Sequence, residues 1–182
     1  MKSTCVDALA HMIESRLNTN ANAFSRAYAE EGMRLWASCK GCLEAEERFA
    51  HMTDDEFSTF MQASVLAGMA IAYTGTSIPH GLSYTLTYEN GVPHGKAVGV
   101  FLSGFLKKYG DSIEAEYVVK QLLDFDDLDA FRDYIRTLFG KLDMSEKLWK
   151  KDRDGILANP AKLKNYPFEL TADMLDDYVR YY

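Results

Sequence analysis

Two Pro-His-Gly tripeptides, Pro79-His80-Gly81 and Pro93-His94-Gly95, leave thirteen residues between their histidines and divide the middle of the chain into short helical segments. Proline suits the first turn of a helix, where its missing N–H removes no hydrogen bond. Each tripeptide therefore predicts a helix start with a histidine at or near the N-terminus. The first helix runs through about Tyr88 to the Glu89-Asn90-Gly91 turn signal, and the second to about Lys107, ended by Tyr109-Gly110.

The remaining sequence follows the same pattern. Apolar residues recur at Val6, Leu9, Ile13 and Leu17, which predicts a helix over Ser3–Leu17, with Thr4 and Asp7 at capping-box spacing. The Asn18–Asn22 stretch breaks it, and a second helix is expected from about Ala23 to Ser38. Gly41 marks a corner before a short amphipathic helix over Leu43–Met52. Thr53 followed by Asp54, Asp55 and Glu56 is a strong helix start, a capping hydroxyl with acids at the positive helix end. The helix from there to about Tyr73 turns apolar on every face after Ala63, the pattern of a helix enclosed by others, and it is expected to be the centre of a bundle. Further helices are predicted over Ser112–Leu123, Leu128–Phe139, Ser145–Leu157 and Thr171–Tyr181, punctuated by Gly140, Asn159-Pro160 and Pro167. No run alternates apolar and polar residues as a strand would. The expectation is one all-α domain, a helical bundle spanning residues 1–182.

The composition fits a globular chain, with 47% hydrophobic and 26% charged residues. A net charge of −7 argues against a nucleic-acid partner. No apolar run approaches the roughly 20 residues that span a bilayer, and the N-terminus lacks the pattern of a signal peptide. Three cysteines make a disulfide framework unexpected. These readings predict a cytoplasmic protein without a membrane partner. Cys39 and Cys42 form a CxxC pair, but without a βαβ context or a second pair they read as small residues at a helix end.

Three of the four histidines belong to one constellation. Asp7 and His11 are four apart, so a helix stacks carboxylate and imidazole on one face. The positive end of a helix favours the neutral imidazole that binds metals at His80 and His94. Gly81 and Gly95 would let a metal, cofactor or substrate approach the backbone. Three imidazoles and one carboxylate suit Fe(II) or Zn(II) with a position open for an outside oxygen. The same residues also suit plainer roles: Asp7 as a capping acid, and the two tripeptides as turn-to-helix junctions. Glu14 reads equally as a partner for an imidazole N–H or as a solvated acid. Tyr73, Tyr84 and Tyr88 line a pocket or pack in the core. His51 is expected on the surface, and the acidic run Asp124–Asp129 as a solvated cap before the next helix.

These motifs carry a resemblance. The segments STCVDALAHMIE (Ser3–Glu14), GMAI with TGTSIPHG (Gly68–Gly81) and GVPHGKA (Gly91–Ala97) resemble, in order and spacing, the metal-binding half of the iron-containing (group III) alcohol dehydrogenases. The similarity is strongest from Ser3 to Phe101. It implies an all-helical C-terminal domain of the dehydroquinate synthase-like fold, paired in the family with an N-terminal Rossmann-like nucleotide-binding domain. It also implies metal ligands at Asp7, His11, His80 and His94, Fe(II) or Zn(II), NAD or NADP, and a small alcohol or aldehyde substrate; a homodimer is a separate expectation. The metal would act as a Lewis acid on the alcohol, with hydride passing to the nicotinamide.

The sequence departs from that pattern twice. It has neither a GGGS nor a GxGxxG phosphate loop, nor a βαβ pattern, so the nucleotide-binding domain is expected to be absent and the chain inactive alone, with exposed apolar surface where that domain would dock. Many members carry a further histidine four residues after the first PHG histidine, where this chain has Tyr84, Gly81 and Gly95 remaining as the other pocket candidates. The competing reading is a non-catalytic helical dimerisation or regulatory module. A metal-dependent phosphohydrolase would need an adjacent His-Asp pair, which is not present.

Overall fold

The computed structural model describes residues 1–109, 112–141 and 144–182. Among the described residues there are helices and no strand. In chain order these are α1 (Lys2–Arg16), α2 (Ala23–Cys39), α3 (Glu46–Ala50), α4 (Asp54–Thr74), α5 (Ile78–Asn90), α6 (His94–Lys108), α7 (Ile113–Glu116), α8 (Leu128–Phe139), α9 (Glu146–Leu157), α10 (Pro160–Leu163) and α11 (Ala172–Tyr181). Gly110, expected to end α6 with Tyr109, lies outside the described residues.

Local chemistry explains most boundaries. The Asn22 side chain accepts from the N–H groups of Phe24 and Ser25, so the asparagine-rich break also starts α2. Thr53 and Glu56 form a reciprocal capping box at the start of α4. Asp127 caps α8, which gives the acidic run its role, and Ser145 and Thr171 cap α9 and α11. Thr4 and Asp7 do not form a capping box. α1 begins earlier, at Lys2, which leaves the Asp7 carboxylate in mid-helix and uncommitted to capping.

The central helix is α6, not α4. Almost every residue of α6 from Gly95 to Leu106 is buried, because α1, α5, α8 and α11 all pack on it. Close approach at its two ends needs glycine. A Cβ on Gly95 would lie 1.7 Å from the Ser3 carbonyl oxygen of α1, and one on Gly104 would lie 2.6 Å from the Tyr178 Cα of α11. By contrast, α4 buries one face, Phe60, Ala63, Ala67, Ala70 and Thr74, against α1 and α2. Its opposite face carries Phe57, Met61, Val65, Met69 and Tyr73 at four-residue spacing, each exposed, Val65 to 60%. An all-apolar segment shows only that burial on any face is tolerated. The neighbours decide which face is covered, and here they cover one. A contiguous exposed apolar row of this kind is characteristic of a contact surface.

Three smaller expectations are corrected. The single helix predicted over Leu43–Met52 is a 3₁₀ turn, Lys40–Leu43, followed by the short α3. Turning Cys42 and Leu43 inward ends the regular helix, and α3 itself buries no residue. The helix predicted over Ser112–Leu123 begins as α7 and widens into a π turn over Tyr117–Leu122, which directs Val118, Val119 and Leu122 all to the core. The Asn159-Pro160 break opens the one-turn helix α10, capped by Asn159. Cys39 and Cys42 are buried and free at the end of α2, where they fill space.

Asp152 of α9 is a cost in this packing. It is buried, and its Oδ2 has no hydrogen-bond partner among the described residues. Burial pushes its carboxyl up to about 7, with the Thr85 hydrogen bond opposing and the Glu89 charge adding. The folded chain thus holds a proton that the unfolded chain, with a carboxyl near 3.8, releases. Stability therefore falls as pH rises through this window. Asp152→Asn is expected to remove the fall, gaining on the order of 4 kcal/mol over wild type between pH 4 and pH 8 in urea denaturation. Parallel stability curves for the two proteins would contradict this.

Candidate metal centre

Asp7, His11 and Glu14 lie on one face of α1, since spacings of four and three residues stack on a helix. Pro79 sits in the first turn of α5 and places His80 beside it, while Pro93 is the N-cap of α6 and His94 its first residue. The Gly95 contact with Ser3, together with a hydrogen bond from the Lys96 N–H to Ser3 Oγ at 3.2 Å, sets the start of α6 against the start of α1. That abutment brings His94 to Asp7.

Asp7 Oδ1 lies 3.3 Å from His80 Nε2 and 3.6 Å from His94 Nε2. One potential ligand atom from each of Asp7, His80 and His94 lies within 4.8 Å of the others. His11 stands outside this trio. Its ring is stacked on that of His80, with centroids 4.4 Å apart and planes 16° from parallel. The rings of His80 and His94 meet edge to face at 5.5 Å.

Glu14 is fully buried, and its role is settled by His80. Its Oε1 accepts the His80 backbone N–H at 3.0 Å, and its Oε2 lies 2.5 Å from His80 Nδ1. Burial favours the protonated acid, but the His80 charge, its two hydrogen bonds and the Ser77 N–H hold the Glu14 carboxyl below the usual carboxylate range. Burial opposes protonation of His80 too, yet Glu14 on one nitrogen and Asp7 beside the other raise it to about 9. Asp7 is lowered: burial works against ionisation, and His80, His11 and His94 outweigh it. His11 is lowered, first by burial and then by the charge of His80.

This arrangement demands a cation. Two carboxylates flank His80, so in the ion-free chain a proton on Nε2 faces Asp7 Oδ1 at 3.3 Å. With the Nδ1 proton held by Glu14, release of the Nε2 proton would leave both atoms free to ligate a metal ion, and neither has another hydrogen-bond partner among the described residues. Two donors each about 2.1 Å from a tetrahedral ion stand about 3.4 Å apart, so a metal fits the observed 3.3 and 3.6 Å. His94 keeps the site accessible, with 38% of its side chain exposed.

The other predicted residues fall as follows. Tyr84 lies beside His94, the two rings 4° from parallel at 6.4 Å, and its ring is partly open to solvent. Gly81 and Gly95 do not serve ligand approach. A Cβ on Gly81 would lie 2.2 Å from Ile156 Cδ1, as one on Gly95 meets Ser3, so protein fills both spaces. Tyr73 and Tyr88 are exposed, and Tyr73 belongs to a cluster with Phe24 and Tyr28 away from the histidines. His51 is on the surface. Lys162 was missed by the sequence reading; its ammonium lies over the Tyr84 ring, 5.4 Å from the centroid. It sits on a helix that periodicity does not reveal, 78 residues after Tyr84 in sequence, so no local signal links them.

The sequence profile of the Fe-containing alcohol dehydrogenase family, C-terminal, matches residues 1–154. The chain belongs to this family. It is 27% identical over 146 residues to the 4-hydroxybutyrate dehydrogenase of Clostridium kluyveri, covering 77% of this chain and 38% of that protein. Over 108 residues it is 30% identical to a 1-propanol dehydrogenase of Citrobacter freundii, covering 56% of this chain and 26% of that protein. Among solved structures, an iron-containing alcohol dehydrogenase of Thermotoga maritima superposes with a TM-score of 0.82 at 28% identity, covering 98% of this chain and 47% of that one. The sulfoacetaldehyde reductase of Bifidobacterium kashiwanohense, solved with NAD+, gives 0.80 at 26% identity, covering 99% and 49%. The chain thus spans about half the length of these solved relatives and less of the other two. The all-α fold and the likeness to the helical C-terminal domain of iron-containing alcohol dehydrogenases hold.

Glu14→Ala is expected to destabilise the fold by about 3 kcal/mol, because it strands the His80 N–H and removes one partner of a buried pair. Thermal and urea denaturation measure this, and a loss below about 1 kcal/mol would show that the pair is not holding α5 to α1.

Proposed function

We propose that this chain is the metal-binding, catalytic half of an NAD(P)-dependent alcohol dehydrogenase that interconverts small alcohols with aldehydes or ketones. The observation that carries the reading is the convergence of His80 Nε2 and His94 Nε2 on the Asp7 carboxylate, at 3.3 and 3.6 Å, in a site that a divalent ion fits. Asp7, His80 and His94 would hold the ion, with His11 as the fourth ligand alongside His80. Fe(II) and Zn(II) both suit this oxygen and nitrogen set. When bound, the metal supplies the Lewis acid that lowers the pKa of the substrate hydroxyl.

The chain's own residues do the rest of the work assigned here. Glu14 fixes the tautomer and direction of His80. The Asp7 carboxylate offsets part of the positive charge of the ion. His94 and Tyr84 form the accessible side, where a small substrate would approach. NAD or NADP as hydride acceptor is supported by the NAD+ complex of the Bifidobacterium relative. The relatives' names cover a neutral propanol as well as an alcohol and an aldehyde with anionic ends. No helix among the described residues is long and apolar enough to cross a membrane; a cytoplasmic location is part of the proposal. We propose further that the 182-residue chain, assayed with NAD(P) and no added nucleotide-binding domain, oxidises no alcohol.

The test is metal analysis after equilibrium dialysis against Zn(II). One equivalent is expected on the wild-type chain. His80→Ala and Asp7→Asn are each expected to weaken binding by at least about tenfold, the scale on which even outer partners of a metal ligand act. Binding that is unchanged in both variants would overturn the site. NAD-dependent alcohol oxidation by the purified chain would overturn the claim of inactivity alone.

A further inference from the structure

We propose that Lys162 forms an anion subsite beside the metal centre, which selects alcohols and aldehydes carrying a carboxylate or sulfonate a few carbon atoms from the reacting group. The inference deepens the dehydrogenase reading and rests on it for the identity of the reacting centre.

The placement of Lys162 is specific. A Cβ on Gly81, the residue after His80, would lie 3.4 Å from Lys162 Cγ, so the lysine stem runs along the first turn of α5. Its ammonium hydrogen-bonds to Thr76 Oγ1 in the loop that enters α5, and lies 5.4 Å from the centre of the Tyr84 ring. His80 and Tyr84 are four apart on α5 and share a face. The Tyr84 ring in turn lies parallel to that of His94. Asp7, His94, Tyr84 and Lys162 thus follow one another in a continuous run from the metal cluster to a cation.

The charge state of that run is what points to a ligand. The described partners of Lys162 are a hydroxyl and a ring face, both uncharged. Lys40, Lys120 and Lys151 pair with Asp124, Glu116 and Glu89, whereas Lys162, like Lys107 over the Tyr181 ring, faces an aromatic ring. The chain has 27 acidic residues, so acids are plentiful. Lys162 is half-buried, and a partly desolvated ammonium with neutral partners gains strongly from an incoming anion. The aromatic face supports the cation without neutralising it. Small substrates reaching the accessible His94 side would place a short tail along Tyr84 with its far end at Lys162. An uncharged tail would leave the ammonium unmatched, and a site built for a charged partner discriminates on that ground.

The experiment uses the 182-residue chain with Zn(II) and ligand-observed NMR, which reads binding without turnover. The probes are 5-hydroxypentanoate, 1-pentanol, pentanoate and inorganic pyrophosphate. Wild type is expected to bind 5-hydroxypentanoate about tenfold or more tightly than 1-pentanol. Lys162→Met is expected to erase that preference while leaving 1-pentanol binding unchanged, and Lys162→Arg to restore most of it. Circular dichroism of each variant checks folding, and Lys162→Gln serves if Lys162→Met does not fold. Equal binding of the acid and the alcohol by wild type, or a preference that survives Lys162→Met, overturns the proposal. So does an effect confined to pyrophosphate, which would assign the lysine to cofactor phosphate. Pentanoate measured without added Zn(II) has no metal to ligate and can report only the anion subsite, so its Lys162 dependence stands even if zinc analysis shows no metal on the chain; the two readings therefore fail separately.

Discussion

The contact between Glu14 and His80 joins residues 66 apart, on α1 and α5, inside a region closed to solvent. A buried carboxylate is costly unless its charge and hydrogen-bonding capacity are met, and His80 meets both with its ring and its backbone N–H. The bond fixes more than a side chain. It requires α5 to start where α1 can reach it, and it aims the second His80 nitrogen at Asp7, two turns back along α1. Position, tautomer and direction of the central imidazole thus follow from one acid. The acid is in turn held by the core around α1, where Trp36 donates to the Cys5 carbonyl and Tyr109 to the Leu17 carbonyl.

Around that contact the helices are arranged by how closely backbones can meet. α6 is enclosed on several sides, and its glycines at both ends remove the atoms that would hold α1 and α11 away. The same close approach that makes the core brings His94 to Asp7, so packing and site construction are one event. α4 lies outside this enclosure and leaves an apolar row uncovered. That row is the main place where the described helices do not complete their own burial.

The repeated tripeptides, Asp7 and His11 at one helical turn, and the cap signals at Thr53 and Asp127 were legible because each acts over a few residues. Glu14 was visible as a candidate on the right face, but its burial was not. Lys162 and the one-turn α10 left no periodic trace. The apolar run after Ala63 misled, since periodicity reports which faces accept burial and says nothing of how many neighbours arrive. The glycines after the histidines were read as room for a ligand, whereas the space is taken by Ser3 and Ile156.

By itself the sequence determined the helical class, the order and most boundaries of the helices, and the candidate residues of the centre, because helix formation, capping and the stacking of residues four apart are local properties of the chain. Only the tertiary structure decided that α6 rather than α4 is enclosed, that Asp7, His80 and His94 form the tight trio with His11 stacked beside them, that Glu14 is buried against His80, and that Lys162 lies over the Tyr84 ring. Those facts depend on which helix faces meet across tens of residues, and that is fixed by the shapes and charges of the whole core rather than by any one segment.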